Sequence, residues 1–286
     1  MSDNDNSENS NLRISIDTNL ADTIDSVSKV IPNTLAALDR MGESILTIGS
    51  FPLLITKEYA PHCIEKTRKK LRDKLNEIPQ EQLHPAPPYI AIPLMQDMFI
   101  YADYDVLHDM FIHLLATSMN STMDTAVHPA FVNVIKNLSP SDATALTSSV
   151  FRKPHAIPVY EARFQKKHSG LPDIHPLPFP LNRRKEGISL YNHLINLDDV
   201  LPYLSVSEVE TIVDNLYRQG LITINPEREF SSLDIYQKDM AFLKNLHLIM
   251  ENRHSTKSSP DSENAIVPMV GTLTSFGQRF LASCVY

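Results

Sequence analysis

Proline placement constrains this chain more than any other feature of its sequence. Five prolines lie between Pro79 and Pro93, and six more lie within residues 152–185. Proline lacks a backbone N–H and clashes with the preceding helical turn, so long helices cannot run through these segments. We therefore predict a helical domain over 12–150, a proline-rich basic linker over 151–185 and a second domain over 186–286.

Composition excludes several classes of protein. Hydrophobic residues make up 42% of the 286 residues, which favours a globular chain over a disordered one. Only 7 glycines are present, and this argues against the glycine-rich loops that hold nucleotide phosphates. Cys63 and Cys284 are too few for a disulfide framework or for a zinc site built on cysteines, so we expect reduced thiols.

The N-terminal region bears on whether the protein is secreted or touches a membrane. Residues 1–11 are polar and acidic, so we predict a disordered tail that differs from a secretory signal. The apolar run Ser44–Thr56 is too short to span a bilayer and is predicted to be a buried, kinked helix. A membrane-touching segment over 44–78 stays open as an alternative, because basic residues follow the run. We expect a cytoplasmic protein.

Apolar residues in the first domain recur every three or four positions, which indicates helices. In residues 57–78 these positions are Ile64, Leu71, Leu75 and Ile78. The spacing predicts another long helix over about Leu94–Ser118, and the prolines of 79–93 predict an extended segment before it.

The last hundred residues have the pattern of a winged-helix domain. Ser207 and Glu210 fit a capping box, which predicts a helix that ends near Gly220. Short strands are predicted over 221–224 and 266–270 as a small β-hairpin, followed by a last helix capped by Thr274. The predicted fold class is therefore mainly α, with an N-terminal helical domain and a C-terminal winged-helix-like domain.

A set of predicted helix caps and turns resembles the pattern of a known family. The sequence running from His128-Pro129 into Ser139-Pro140-Ser-Asp142 resembles the middle of the bacterial abortive-infection alpha proteins, first catalogued as a domain of unknown function. Later motifs fall in the same order, and they include Gly220, Thr274 and Gly277. The resemblance covers about 80–150 and 205–283. It implies a bacterial protein linked to phage resistance, and it supplies no catalytic residue.

The sequence contains one weak candidate for a metal site. Asp105, His108, Asp109 and His113 are spaced three or four residues apart, so their side chains can share a helix face. Metal sites of helix bundles need a second helix with such a pair, and none is evident in the sequence. We therefore predict no metal, no cofactor and no catalytic residue, and we interpret the four as a polar helix face.

Two clusters of cations are candidates for binding nucleic acid or another anionic partner. They are Lys66, Arg68, Lys69, Lys70 and Arg72 in the helix, and Arg183, Arg184 and Lys185 in the linker. The helix predicted over Ser207–Gln219 is acidic, and acidic side chains repel phosphate, so the C-terminal domain is expected to contact protein instead of DNA.

Three hypotheses for function follow. The first is a non-enzymatic protein of phage defence that binds a protein partner, a second copy of itself or a phage component. The second is a nucleic-acid-binding regulator that uses the basic clusters. The third is a membrane-acting effector through 44–78, which we consider the weaker alternative.

Overall fold

The computed structural model describes residues 32–34, 36, 59–98, 100–152, 156–166, 187–228, 237–254 and 262–286. The chain divides into two compact units, Met1–Lys136 with Ala282–Tyr286, and Asn137–Leu281. The predictions for the tail 1–11, for the run 44–56 and for Arg183, Arg184 and Lys185 lie outside the described residues.

The first unit is helical in the part that the structure describes. Its helices are α1 (Tyr59–Asn76), α2 (Pro88–Met98), α3 (Asp105–Thr117) and α4 (Ala130–Lys136). Helix α3 is central, because it packs against each of the other three. It buries residues on almost every side, as a helix enclosed by neighbours must: Leu107, His108, Met110, Phe111, Ile112, Leu114, Leu115 and Ala116.

The position of helix α2 shows that two predictions, for the segments 79–93 and Leu94–Ser118, are wrong. The segment 79–93 is not extended throughout, because α2 begins at Pro88, where a missing N–H costs nothing, and continues through Pro93. Burial of its apolar face offsets the hydrogen bond that Pro93 cannot make: Ile90, Leu94, Met95 and Met98. The single helix predicted over Leu94–Ser118 is in fact two, since α2 ends at Met98 and α3 begins at Asp105.

The second unit is built on a four-stranded antiparallel sheet in the order β2-β1-β4-β3. The strands are β1 (Ile157–Lys166), β2 (Ile188–Leu194), β3 (Ile222–Asn225) and β4 (Ser262–Leu273). The helices are α5 (Pro140–Ala145), α6 (Val206–Arg218), α7 (Met240–His254) and α8 (Ser275–Cys284), whose last residues belong to the first unit.

A buried polar contact ties the sheet to the segment before α7. Tyr160 Oη donates to Asp239 Oδ2 at 2.6 Å, and Asn196 Nδ2 donates to Asp239 Oδ1 at 2.9 Å. The ring of Tyr160 also lies 6.0 Å from that of Phe242 in α7. Both oxygens of this buried carboxylate are therefore satisfied, as a buried polar group requires.

The winged-helix prediction is wrong. The two predicted strands exist, as β3 and β4, and they pair from Ile222–Leu273 to Asn225–Val270. They do not form an isolated hairpin, because β4 pairs along its other edge with the whole of β1, from Ile157–Gly271 to Lys166–Ser262. A two-stranded wing is thus replaced by a four-stranded sheet.

Strand β1 also lies inside the predicted linker 151–185. Residues 157–166 are not irregular but form a strand paired on both edges, and Val159, Tyr160 and Ala162 are buried. Pro158 is tolerated because the pairing of β1 with β2 begins only at Tyr160, so the strand has a single neighbour at the proline.

The predicted cap of α5 is confirmed, and the structure also shows a cap at the start of α4 that was not predicted. Ser139 caps α5 with a capping box to Asp142 and with Pro140 in the first turn. His128, followed by Pro129, accepts the Ala130 N–H on Nδ1 at 3.1 Å, so the ring caps the start of α4.

The end of α6 and the start of α8 follow the predicted pattern as well. Gly220 has φ 72°, and the N–H groups of Gly220 and Leu221 donate to Tyr217 and Leu216, which is a Schellman motif. Thr274 Oγ1 accepts from Gly277 N at 2.8 Å and donates to Gly220 O at 2.6 Å. The capping box of α6 is displaced by two residues from the prediction, because Ser205 and Glu208 fit the same pattern and form it.

Gly277→Ala should destabilise the protein by roughly 3 kcal/mol, because inserting a side chain into a tightly packed contact forces the backbone apart. A Cβ at Gly277 would lie 1.9 Å from the carbonyl oxygen of Leu221. Urea unfolding measures the change, with Ser275→Ala, an exposed site on the same helix, as the control. Equal stability of the two variants would contradict the described contact.

Candidate functional site

Charged side chains join α1 and α3 in the first unit. Lys66 Nζ lies 2.9 Å from Asp105 Oδ1 and donates to the carbonyl oxygen of Ala102 at 2.7 Å. Lys70 Nζ bridges Asp105 at 3.1 Å and Asp109 at 2.6 Å. Hydrogen bonds from Lys66 and Lys70 lower the pKa of Asp105 to about 2. Burial works to lower the pKa of Lys70, but its bonds to Asp109 and Asp105 outweigh this and raise it.

The four residues of the weak metal candidate do not converge. Asp105 and Asp109 bind lysines, while His108 is buried against α1. Burial lowers the pKa of His113, and the nearby carboxylate of Asp109 opposes this shift only in part. Within the described ranges, no group of three or more histidine, cysteine or acidic side chains is placed to hold a metal ion. Asp105, His108 and Asp109 hold α3 to α1 instead.

His108 is held as a neutral imidazole. Thr67 Oγ1 donates its one hydrogen to Cys63 O at 2.8 Å, so His108 Nε2, 2.9 Å away, must donate to Thr67. His108 Nδ1 then carries the lone pair, and it is buried without a hydrogen-bond partner in the described part of the chain. Burial, with smaller contributions from Lys70 and Lys66, lowers the pKa of His108 to about 4.

The basic cluster of α1 is only partly available to a ligand. Lys66 and Lys70 are committed to α3, and Arg68 is partly buried. Lys69 and Arg72 are exposed, but Glu65 and Asp73 are exposed on the same helix. Alternating signs give no continuous positive surface for phosphates. Nucleic-acid binding by this cluster therefore stays a prediction.

A groove runs between α5 and α6 in the second unit. Its volume is about 660 Å³. Its surface is mixed, with polar and apolar parts. The lining comes from the turn before α5, from α5, from Leu204 and from one face of α6: Asn137, Ser139, Ser141, Asp142, Leu204, Glu208, Thr211, Ile212, Asp214, Asn215 and Arg218. We call this the α5–α6 groove.

Asn215 holds the floor of the α5–α6 groove together. Its Nδ2 donates to Asp142 Oδ2 at 2.8 Å and to Asn137 O at 3.3 Å. Its Oδ1 accepts from Arg218 Nη2 at 2.7 Å. One amide thus links α6 to the capping box of α5, and the shape of the groove depends on that link.

The acidic residues of α6 have structural partners. Glu208 accepts from Ser205 N at 2.8 Å, Glu210 accepts from Asn192 N in β2 at 2.6 Å, and Asp214 Oδ1 lies 2.6 Å from His193 Nδ1. Glu210 and Asp214 thus attach α6 to β2.

Sequence reasoning found part of this site. It identified Ser139 and Asp142 as caps, and both line the groove. It missed Thr211, Asn215 and Arg218 as lining residues, because no local pattern indicates that α6 packs beside α5. The nearest signal was the capping box itself, which fixes the direction in which α5 leaves the preceding turn.

Both cysteines are buried, and burial raises the pKa of Cys284 well above its usual value. Of the helices that the structure describes, none combines the length and the hydrophobicity needed to cross a bilayer.

Comparison with known proteins matches the chain to a protein family. The family described as "Abortive infection alpha" matches residues 61–284 of the chain. No curated protein and no solved structure matches the chain.

Lowering the pH should destabilise the protein through His108. Its folded pKa, about 4, lies below its ordinary value of 6.5, so the unfolded chain binds the proton more readily between these pH values. The stability due to the neutral ring is therefore complete above pH 6.5 and falls as the pH drops toward 4. We expect a loss of roughly 2 kcal/mol between about pH 7 and pH 5.

Urea unfolding of wild type and His108→Gln at both pH values measures this loss, because glutamine keeps a donor for Thr67 and does not titrate. His62→Gln, at an exposed site, is the matched control and should retain the wild-type pH dependence. If His108→Gln loses as much stability on acidification as the control does, His108 is not the source of the pH dependence.

Proposed function

Because the chain belongs to the abortive infection alpha family, we propose that it defends bacteria against phage through non-enzymatic contacts with a protein partner, and that the α5–α6 groove is the docking surface. The observation that carries this proposal is the family match over residues 61–284, since the family suggests abortive-infection phage defence.

The groove supports a role in recognition. It presents hydroxyl, amide and carboxylate groups beside the apolar side chains Leu204 and Ile212. Mixed polar and apolar lining is usual where proteins bind proteins, since polar groups fix orientation and apolar area supplies affinity. The site is also held in shape by Asn215, so little ordering is needed on binding.

The charged cluster of α1 and α3 is a poorer candidate for a docking surface. Its lysines and aspartates already bind one another, so a ligand must break Lys66–Asp105 or Lys70–Asp109 before it can bind. The carboxylates of the groove do not carry this cost, because they are held by uncharged donors or by a histidine.

Thr211→Arg should abolish phage defence without unfolding the protein. Thr211 is exposed on α6 and lines the groove, so an arginine there fills the space that a partner would occupy. Cells that express the variant should show the plaque numbers and the survival of cells with an empty vector, across a panel of phages that the wild type restricts.

Ser207→Arg is the matched control, because it adds the same side chain at an exposed position of the same helix outside the groove lining. It should protect cells as the wild type does, and both variants should unfold at the wild-type temperature. Full protection by Thr211→Arg would remove the groove from the mechanism. Substrate turnover by the purified protein, abolished by a groove variant, would overturn the non-enzymatic proposal.

A further inference from the structure

We infer that the exposed face of helix α2 pairs with the same face of a second copy of the chain. Tyr89 and Ile92 in α2 are 65% and 51% exposed, and Ile100 just after it is 48% exposed. The carbonyl oxygen of Asp97 accepts from the N–H of Ile100 at 2.9 Å and from the next N–H at 3.3 Å, so the backbone keeps turning as in a helix. With the exposed Gln96, these three side chains follow one side of the helix, and we call the four residues the α2 stripe.

Helix α2 is apolar on both of its faces. Its inward face is buried in the first unit, as described above. Its one charged residue, Asp97, is also buried and binds Lys136 Nζ through Oδ2 at 3.1 Å. A surface helix normally turns charged and polar residues outward, and a helix that is apolar all round is normally buried. The α2 stripe therefore has the composition of a face that a partner covers.

The chemistry of the α2 stripe is complementary to itself. It contains no charged residue, so two copies do not repel each other. The amide of Gln96 both donates and accepts, so it can bond to the same amide in a second copy. Stripes that match themselves are what a twofold symmetric contact requires.

The spacing of the α2 stripe fits a twofold axis through Gln96. Ile92 and Ile100 lie four residues before and four residues after it. Such an axis places Ile92 of one copy against Ile100 of the other, with the two amides between them. Rows of residues four apart interdigitate in the commonest packing of two helices, which cross at about −50°. The same row can therefore serve as both halves of the contact.

Other partners fit the α2 stripe less well. Helix α2 contains neither lysine nor arginine, whereas helices that lie on a membrane surface carry these residues on their polar face. Nucleic acid is held largely by cations that contact its phosphates, and the same lack disfavours it. An uncharged protein surface of the same shape is the better complement, and a second copy supplies one.

The size of the α2 stripe predicts a weak dimer. A large side chain presents on the order of 200 Å², so Tyr89, Ile92 and Ile100 together expose about 300 Å². Two copies bury about 600 Å² from these side chains, and the exposed Gln96 and Pro88 add to it, but stable interfaces begin at about 1,200 Å². We expect a dissociation constant on the order of 10–100 μM.

Sedimentation velocity of the full-length protein tests this inference, at concentrations of about 1–300 μM that bracket the expected constant. Wild type should pass from monomer to dimer over this range. Ile92→Arg should stay monomeric throughout, because its charge would be buried against Ile100 of the other copy. Leu248→Arg is the matched control, since Leu248 is 54% exposed on α7, and it should dimerise as wild type does. Both variants should unfold at the wild-type temperature.

A charge swap at Gln96 tests the twofold axis. Gln96→Glu and Gln96→Lys should each weaken self-association at least about tenfold, because the axis brings two like charges together. An equimolar mixture of the two variants should dimerise, because each glutamate then meets a lysine. Salt should weaken this mixed dimer more than the wild-type dimer, since salt screens charge but not apolar contact.

Three results would overturn the inference. The first is a wild type that stays monomeric at every concentration, and if it then sediments with phosphatidylcholine vesicles while Ile92→Arg does not, the α2 stripe binds a bilayer instead. The second is equal loss of the dimer in Ile92→Arg and Leu248→Arg. The third is a mixture of the Gln96 variants that stays monomeric. The α2 stripe lies in the first unit, so none of these results bears on the groove proposed above.

Discussion

The second unit depends on the pairing of one strand along both of its edges. A buried backbone N–H or C=O must find a partner, and β1 gives partners to β2 on one side and β4 on the other. Through β4 it also fixes β3, and the contact from Tyr160 to Asp239 places the start of α7. Helix α6 is then attached to β2 by Glu210 and Asp214, which sets one wall of the groove.

Local signals in the sequence predicted local structure well. The caps at Ser139 and Thr274 and the turn at Gly220 follow from chemistry within a few residues, and each is present. Strand β1 could not be predicted in the same way. Its proline and charged residues resemble a linker, and it becomes a strand through its pairing with β2 and with β4, which lies roughly a hundred positions later in the chain.

In the candidate site, too, local structure could be predicted from the sequence and contacts between distant segments could not. Spacing placed Asp105, His108 and Asp109 on one helix correctly, but their roles are decided by Lys66, Lys70 and Thr67 on another helix. The groove could not be predicted either, because it exists only where α5 and α6 lie side by side. Charge counted along the sequence does not distinguish a carboxylate that binds a neighbouring strand from one that is open to a ligand.

Contacts between residues far apart in the chain affect when the protein can fold during its synthesis. Ile157 pairs with Gly271, and residues Ala282–Tyr286 belong to the first unit, where Thr117 Oγ1 donates to Ser283 O at 3.2 Å. Contacts between residues far apart in the chain form slowly, since the chain must first close the intervening loop. Synthesis on the ribosome therefore has to reach the final helix before either unit can be completed, and a chain truncated ahead of it leaves both unfinished.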